Sequence, residues 1–191
     1  MKTEFEITFP NIDHNCVRKQ IRDLGGTCTQ DKTLMKRVIF KHTDKELKNS
    51  YFRVRDEGNT ITCTYKTILD GKLDITSIKE VETKIEDFEA MCEILTLTGL
   101  KKVAMQESYR ETWKIGDEVE YMLDEWPGLQ PFLEIEGTNK KVVKEYSEKL
   151  GFTYSDGIFG AVDELYFLEL GIAHNVINTM PEISFENPPK K

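Results

Sequence analysis

Residues 49–67 read NSYFRVRDEGNTITCTYKT, and this stretch combines alternating strand-like sequence with basic side chains. The turn signal EGN at 57–59 separates two alternating segments, which predicts a β-hairpin. Residues i and i+2 of a strand lie on the same face, so Arg53 and Arg55 should project from one side of this hairpin. The stretch therefore predicts an antiparallel sheet with a charged face.

The same two-residue spacing of charges recurs in other apolar strands of the chain. It is found at Glu4/Glu6, Glu80/Glu82 and Glu134/Glu136, and Lys66 is a further charge within a strand. An ordinary half-buried strand carries aliphatic side chains on one face, whereas several same-face charges of both signs predict a binding cavity. Taken alone, such a pair is also typical of a solvent-exposed strand face. Acidic pairs can hold divalent cations, and arginine and lysine can hold phosphate oxygens.

Periodicity and turn signals predict a mixed order of strands and helices. The strands are expected at 2–9, 33–41, 49–56, 60–67, 78–84, 101–114, 118–125 and 132–137, with a turn at Asp70-Gly71; the helices are expected at 11–24, 85–99, 139–150 and 163–170. About eight largely antiparallel strands with charged faces on one side would close into a barrel, because closure hides their edges and encloses a polar lumen. The predicted fold class is α+β, an eight-stranded closed barrel with helices packed outside.

Length and composition favour a single soluble domain. The chain has 191 residues, a net charge of −8 and a sequence pI near 5.1. We expect one domain at 1–180 and a flexible tail at 181–191, where apolar content is low. The acidic balance argues against nucleic acid or an anionic membrane as a partner. No apolar run approaches the roughly 20 residues that span a bilayer, and a cytoplasmic location is the default expectation.

Several short motifs, taken in order, resemble those of the CYTH domain, or triphosphate tunnel metalloenzymes, which include class IV adenylyl cyclases and thiamine triphosphatases. The resemblance covers roughly residues 1–170. It is carried by EFEIT at 4–8, FRVRDEG at 52–58, TYK at 64–66, EVE at 80–82, Arg110 with Trp113, LD at 123–124, and FLEIEG at 132–137.

This resemblance implies a barrel whose lumen binds a triphosphate group together with one or two Mg²⁺ or Mn²⁺ ions. The implied metal ligands are Glu4, Glu6 and Glu136 first, then Glu134, Asp124 and Glu82. The implied phosphate clamp consists of Arg53, Arg55, Lys66 and Arg110, with Arg37 as a further candidate. Glu4, Glu6 and the four clamp residues are the expected catalytic set. The chemistry agrees, because arginine forks match phosphate geometry and magnesium prefers carboxylate oxygens.

Two positions depart from the pattern of the family. Thr8 stands where the ExExK motif has lysine, and Ser108 stands where the KxR strand pattern has its first basic residue. Each change removes a positive charge from the expected tunnel. Our hypothesis is that Arg37 or Lys36 compensates. Glu80 is expected to orient a neighbouring basic side chain rather than to contact the metal.

Three functions fit this sequence. The leading hypothesis is a divalent-metal-dependent phosphohydrolase that acts on inorganic triphosphate or a small organic triphosphate. The first alternative is an adenylyl cyclase that makes cyclic AMP and pyrophosphate from ATP. The second is a non-catalytic module that binds triphosphate or polyphosphate, which the losses at Thr8 and Ser108 motivate. The resemblance also makes a homodimer an expectation.

Overall fold

The computed structural model describes residues 1–43, 49–68 and 74–190. The predicted turn at Asp70-Gly71 lies outside these residues. The described strands are β1 Lys2–Thr3, β2 Glu6–Phe9, β3 Thr27–Lys41, β4 Ser50–Asp56, β5 Ile61–Ile68, β6 Ile78–Ile85, β7 Lys101–Ile115, β8 Val119–Glu125, β9 Phe132–Gly137 and β10 Glu182–Ile183. The α-helices are α1 His14–Asp23, α2 Phe88–Leu97, α3 Lys140–Lys149, α4 Asp163–Leu170 and α5 His174–Ile177.

All these strands belong to one sheet with the order β1-β6-β5-β4-β3-β7-β8-β9-β2, and β10 pairs with β7. Every neighbouring pair along this path is antiparallel, and only the added β10 is parallel. The two ends of the path, β1 and β2, are consecutive in the chain. The sheet therefore curls round until its two edges meet within the first nine residues. The predicted α+β class and antiparallel sheet are confirmed.

The predicted single strand at 2–9 is wrong, because the segment changes partners in its middle. The Glu4 N–H donates to the Ile78 carbonyl at 3.1 Å, next to β6, whereas the Phe5 carbonyl accepts from the Gly137 N–H at 3.0 Å, next to β9. Among the described residues no ladder joins β1 to β2, so the curled sheet is not a fully closed barrel. It also has more strands than the eight expected.

Strands β3 and β7 form the longest ladder and bend the sheet. The prediction that β3 begins at residue 33 is wrong, because Thr27 and Cys28 already pair with Lys114 and Trp113 of β7. The register of this ladder shifts at three places along β3. Such bulges increase the local twist and bend of a strand, which helps the sheet to curl.

The first apolar cluster lies outside the curl, on the strand face opposite the charged residues. Ile7 and Ile135 are fully buried and pack with Ile21 of α1 and Val143 of α3. Because side chains alternate along a strand, Glu6 and Glu136 project to the other, inner face. A second cluster packs α4 against Phe132, which lies on the same strand face as Glu134. A third packs α2 against the outer face of β4 and β5. Among the described residues, no helix has the length and apolar character needed to span a membrane.

The prediction that 181–191 has too little apolar content to order itself is wrong at its start. Ile183 of β10 is 1% exposed and belongs to the cluster that contains Phe132. The Met105 N–H donates to the Pro181 carbonyl at 2.9 Å, and the rings of Phe185 and Tyr109 lie 4.9 Å apart. One buried aliphatic side chain and a short ladder are therefore enough to fix this segment on β7.

The substitution Ile183→Ala should lower the free energy of unfolding by about 2–4 kcal/mol, because it removes a fully buried aliphatic side chain. Urea unfolding followed by circular dichroism measures this change. The exposed neighbour substitution Glu186→Ala is the matched control and should leave the midpoint almost unchanged. Equal midpoints for both variants would show that the segment does not pack on β7.

Candidate active site

The inner face of the curled sheet encloses a cavity of about 640 Å³, here called the tunnel. Of the site residues predicted from sequence, all but Asp124 line it. These are Glu4, Glu6, Arg37, Arg53, Arg55, Lys66, Glu82, Arg110, Glu134 and Glu136. Asp124 is fully buried and contacts Arg110, which lines the tunnel. The curl therefore brings together residues that are up to about 130 positions apart in the sequence.

Three carboxylates form a cluster on one wall, here called the carboxylate cluster. Carboxylate oxygens of Glu4, Glu6 and Glu136 lie within 4.8 Å of one another. Glu6 and Glu136 are directly paired across the ladder between β2 and β9, and Glu4 lies where the chain passes from β1 to β2. The ladder register and the partner change of the first strand therefore build this cluster.

The carboxylate cluster is electrostatically unfavourable on its own. Burial, reinforced by Glu4, raises the pKa of Glu136 to about 7. Burial, together with Glu134 and Glu4, holds the pKa of Glu6 well above its ordinary value. Three converging carboxylate oxygens are a donor set that suits Mg²⁺ or Mn²⁺, and a divalent cation would remove this repulsion. The residues present therefore fit the expected metal.

Lys66 joins the carboxylate cluster to the rest of the tunnel. Its Nζ donates to both carboxylate oxygens of Glu4 at 2.7 and 2.8 Å and lies 3.4 Å from Glu80. Burial and Arg53 act to lower the pKa of Lys66, but Glu4, Tyr51 and Glu6 together outweigh them and the pKa is raised. Lys66 is therefore held as a cation that positions Glu4. Glu80 contacts a basic side chain, as expected from the sequence.

The opposite charge gathers on β3 and β4, where Arg37, Arg53 and Arg55 form the arginine cluster. Arg37 and Arg55 are paired across the ladder, and Arg53 lies two residues before Arg55. Burial and the charge of Arg53 lower the pKa of Arg37 to about 9 and that of Arg55 to about 10. Among the described residues, the buried Nε of Arg53 has no hydrogen-bond partner. This cluster is therefore suited to a polyanion.

Sequence reasoning missed the side chains that hold the arginines in place. The Arg37 Nε donates to the Gln106 Oε1 at 2.7 Å, and its guanidinium lies 4.3 Å from the centre of the Trp126 ring. The Arg55 Nε donates to Glu57 at 2.6 Å. Glu57 lies in the hairpin turn, and Gln106 is 69 positions away in the sequence, where the β3–β7 ladder pairs it with Arg37. Strand alternation alone therefore gave no signal for either.

Arg110 is engaged by two acidic side chains that the sequence analysis proposed as metal ligands. Its guanidinium donates to Asp124, with Nε at 2.7 Å from Oδ1, and also to Glu134. Burial opposes the charge of Arg110, but Asp124 and Glu134 outweigh it and raise the pKa well above its ordinary value. Metal ligation by Asp124 and Glu134 stays a prediction, because both carboxylates are directed at Arg110 here.

Glu82 has a similar arrangement on the other wall of the tunnel. It accepts a hydrogen bond from the Thr64 hydroxyl at 2.6 Å, and Nη2 of Arg53 lies 3.5 Å away. Burial acts to raise the pKa of Glu82, but the Thr64 hydrogen bond and the neighbouring arginines prevail and lower it. Its expected role as a metal ligand also stays a prediction.

The two positions that lack the family's basic residues are both buried. Thr8 exchanges backbone hydrogen bonds with Ile158 at 2.9 and 2.8 Å, and Ser108 lies on β7 between Gln106 and Arg110. Of the two compensating residues considered, Lys36 projects outward, because its side chain is 59% exposed and 4.0 Å from Glu107. Arg37 lines the tunnel. Only Arg37 is therefore placed to supply the missing charge.

Comparisons with known proteins agree with this geometry. A family model described as the CYTH domain matches residues 3–157. A protein of Methanocaldococcus jannaschii that carries the provisional name adenylate cyclase is 32% identical over 148 residues, which is 76% of this chain and 81% of that protein.

Solved structures with the same fold include a protein from Pyrococcus horikoshii and one from Hippeastrum. The first has a TM-score of 0.68 at 24% identity and covers 85% of this chain and 98% of its own. The second has a TM-score of 0.56 at 16% identity and covers 86% of this chain and 95% of its own. The Hippeastrum protein is described as a provisional adenylyl cyclase that reveals a dominant triphosphatase activity. At these identities the two structures support the fold alone.

The substitution Glu136→Gln should stabilise the metal-free protein at pH 8 by about 1–3 kcal/mol. The raised pKa means that the folded protein keeps a proton that the unfolded chain has released. Wild-type stability therefore falls as the pH rises from the ordinary pKa of about 4.5 to about 7, and the glutamine variant escapes this loss. Urea unfolding in EDTA measures the difference, which should vanish near pH 4. A less stable variant at pH 8 would contradict the repulsion.

Proposed function

Because the chain belongs to the CYTH domain family, we propose that it is a divalent-metal-dependent phosphohydrolase that removes a terminal phosphate from inorganic triphosphate or a small organic triphosphate. One observation carries this proposal. The carboxylate cluster, with its oxygens within 4.8 Å, shares a single cavity with the buried arginine cluster. A bound metal ion and a bound polyphosphate would each neutralise one of the two clusters.

The tunnel's own residues can bind and orient a polyphosphate. Arg37, Arg53 and Arg55 present guanidinium donors from adjacent strands, so they can hold oxygens of successive phosphates. Because these arginines are held in place before the ligand binds, they would stabilise the negative charge that develops on the leaving diphosphate. The arginines would not need to reorganise for this. A metal held by Glu4, Glu6 and Glu136 would polarise phosphoryl oxygens when bound. Lys66 keeps Glu4 in place for that role.

A second function, cyclisation of ATP, is favoured by one observation. The relative from Methanocaldococcus jannaschii is 32% identical and bears the provisional name adenylate cyclase. In that reaction the ribose 3′-hydroxyl attacks the α-phosphate and pyrophosphate leaves. The Hippeastrum protein combines both descriptions on one fold, so the fold does not discriminate between the two reactions. The losses at Thr8 and Ser108 leave a binding module without turnover as the third candidate.

The double substitution Glu4→Gln and Glu6→Gln should reduce orthophosphate release by about 10²–10³-fold or more, because it removes carboxylates that would hold the metal. Purified protein is incubated with inorganic triphosphate, thiamine triphosphate or ATP in Mg²⁺ or Mn²⁺, and the products are resolved by ³¹P NMR. The matched control is Glu107→Gln, which changes an acidic side chain that contacts Lys36 outside the tunnel. Formation of cyclic AMP and pyrophosphate would contradict the hydrolase proposal and identify a cyclase. Binding without turnover would contradict it and identify a binding module.

The substitution Arg37→Met should raise the KM for inorganic triphosphate about tenfold or more, since it removes a charge-assisted contact to phosphate. Lys36→Met is the matched control, because the two neighbours project to opposite faces of β3. Its KM should stay within about twofold of the wild-type value. Steady-state kinetics measure both values. Equal effects of the two substitutions would exclude Arg37 as the residue that compensates for Thr8 and Ser108.

A further inference from the structure

A second cavity of about 370 Å³ adjoins the tunnel on the side of the arginine cluster. The two cavities share four lining residues: Arg37, Tyr51, Ala161 and Val162. A ligand whose phosphates contact Arg37 would therefore have direct access to the second cavity. The volume falls within the range of small-molecule sites, roughly 300–1,000 Å³, and towards its lower end.

The lining of the second cavity differs in kind from that of the tunnel. Aliphatic side chains of Ile39, Ile68, Val103 and Ala104 form much of its wall. The polar part comes from amides, among them Gln106, which holds Arg37, and from the side chains of Lys41, Asp163, Glu164 and His174. An apolar wall with a few hydrogen-bonding groups is typical of a site for an organic ring rather than for a phosphate.

The remaining wall comes from the segment that carries α4 and α5, which follows the part of the chain matched by the family model. This wall is firmly held. The Tyr166 hydroxyl donates to the Pro127 carbonyl at 2.8 Å, and the Asn178 amide donates to Asp163 at 2.7 Å. Leu165 and Ile177 are almost fully buried against the sheet. The cavity is therefore a built feature of this chain and not a gap beneath a loose loop.

We propose that the second cavity receives the organic group of the substrate, a heteroaromatic ring with hydrogen-bonding edges, while the triphosphate lies in the tunnel. This inference rests on the proposed function and makes an organic triphosphate, rather than inorganic triphosphate, the preferred substrate. Arg37 holds the phosphate nearest to the organic group, because it borders both cavities. Tyr51 lies at the same junction and contributes an aromatic ring beside the connecting group.

The test uses Ala104→Phe, which places a bulky ring in the second cavity from a position that does not line the tunnel. Met105→Phe is the matched control, because Met105 is the next residue on β7 and its side chain is 43% exposed. Val103→Trp, at a half-buried position of the same cavity, is a second variant in case Ala104→Phe does not fold. The probes are ATP, thiamine triphosphate and inorganic triphosphate.

We expect Ala104→Phe and Val103→Trp to lower kcat/KM for at least one organic triphosphate about tenfold and to leave kcat/KM for inorganic triphosphate within about twofold of wild type. The control Met105→Phe should stay within about twofold of wild type for every probe. Equal losses for organic and inorganic triphosphates, or no loss for any, would overturn the proposal. If no triphosphate is turned over, the proposed function fails. In that case, calorimetry measures the affinities of the same probes for the same variants. A loss of affinity for organic but not inorganic triphosphate would support the cavity assignment, and equal losses or no loss would overturn it.

Discussion

The structure depends on the burial of like charges within one curled sheet. Carboxylates gather on one wall and arginines on another, and each group is unfavourable without a partner of opposite charge. Burial and the nearby carboxylate of Glu4 raise the pKa of Glu136, whereas burial and the charge of Arg53 lower the pKa of Arg37. Internal ion pairs, such as that of Lys66 with Glu4, offset only part of the free-energy cost of burying these like charges. A cation and a polyanion together would relieve the remainder, so the energetic weakness of the unliganded tunnel is also its capacity to bind.

The sheet makes this arrangement possible by separating the two kinds of surface. Side-chain alternation sends Ile7 and Ile135 to the outer core and Glu6 and Glu136 to the inner face of the same strands. The outer face is covered by α1, α2 and α3 and supplies hydrophobic stabilisation that the charged part of the inner face lacks. On β2 and β9, one face therefore contributes to stability and the opposite face forms the candidate binding site.

Much of the fold and the site was predictable from local sequence patterns. The features that were not predictable depend on pairing with residues far away in the sequence. Two-residue spacing predicted that Arg53 and Arg55 share one face of β4, and both line the tunnel. The break of the first strand was not predictable, because the alternation runs through EFEIT without interruption and the partner change is set by residues near 78 and 137. The early start of β3 also depends on pairing with β7. Which carboxylates converge on one another and which face an arginine depends on the curl, which no local pattern encodes.

The threonine at position 8 changes how positive charge is distributed in the tunnel. Thr8 is paired with Glu134 across the ladder between β2 and β9, so a lysine there would have stood beside that carboxylate. Here Arg110 reaches Glu134 from β7 and also holds Asp124, and its charge is therefore largely balanced by protein groups. On β4, Arg55 pairs with Glu57 and Arg53 lies 3.5 Å from Glu82. Among the described residues, Arg37 on β3 has no carboxylate in salt-bridge range and contacts Gln106 and the Trp126 ring instead. An anion would therefore interact most strongly beside Arg37, on the side of the tunnel that the second cavity adjoins.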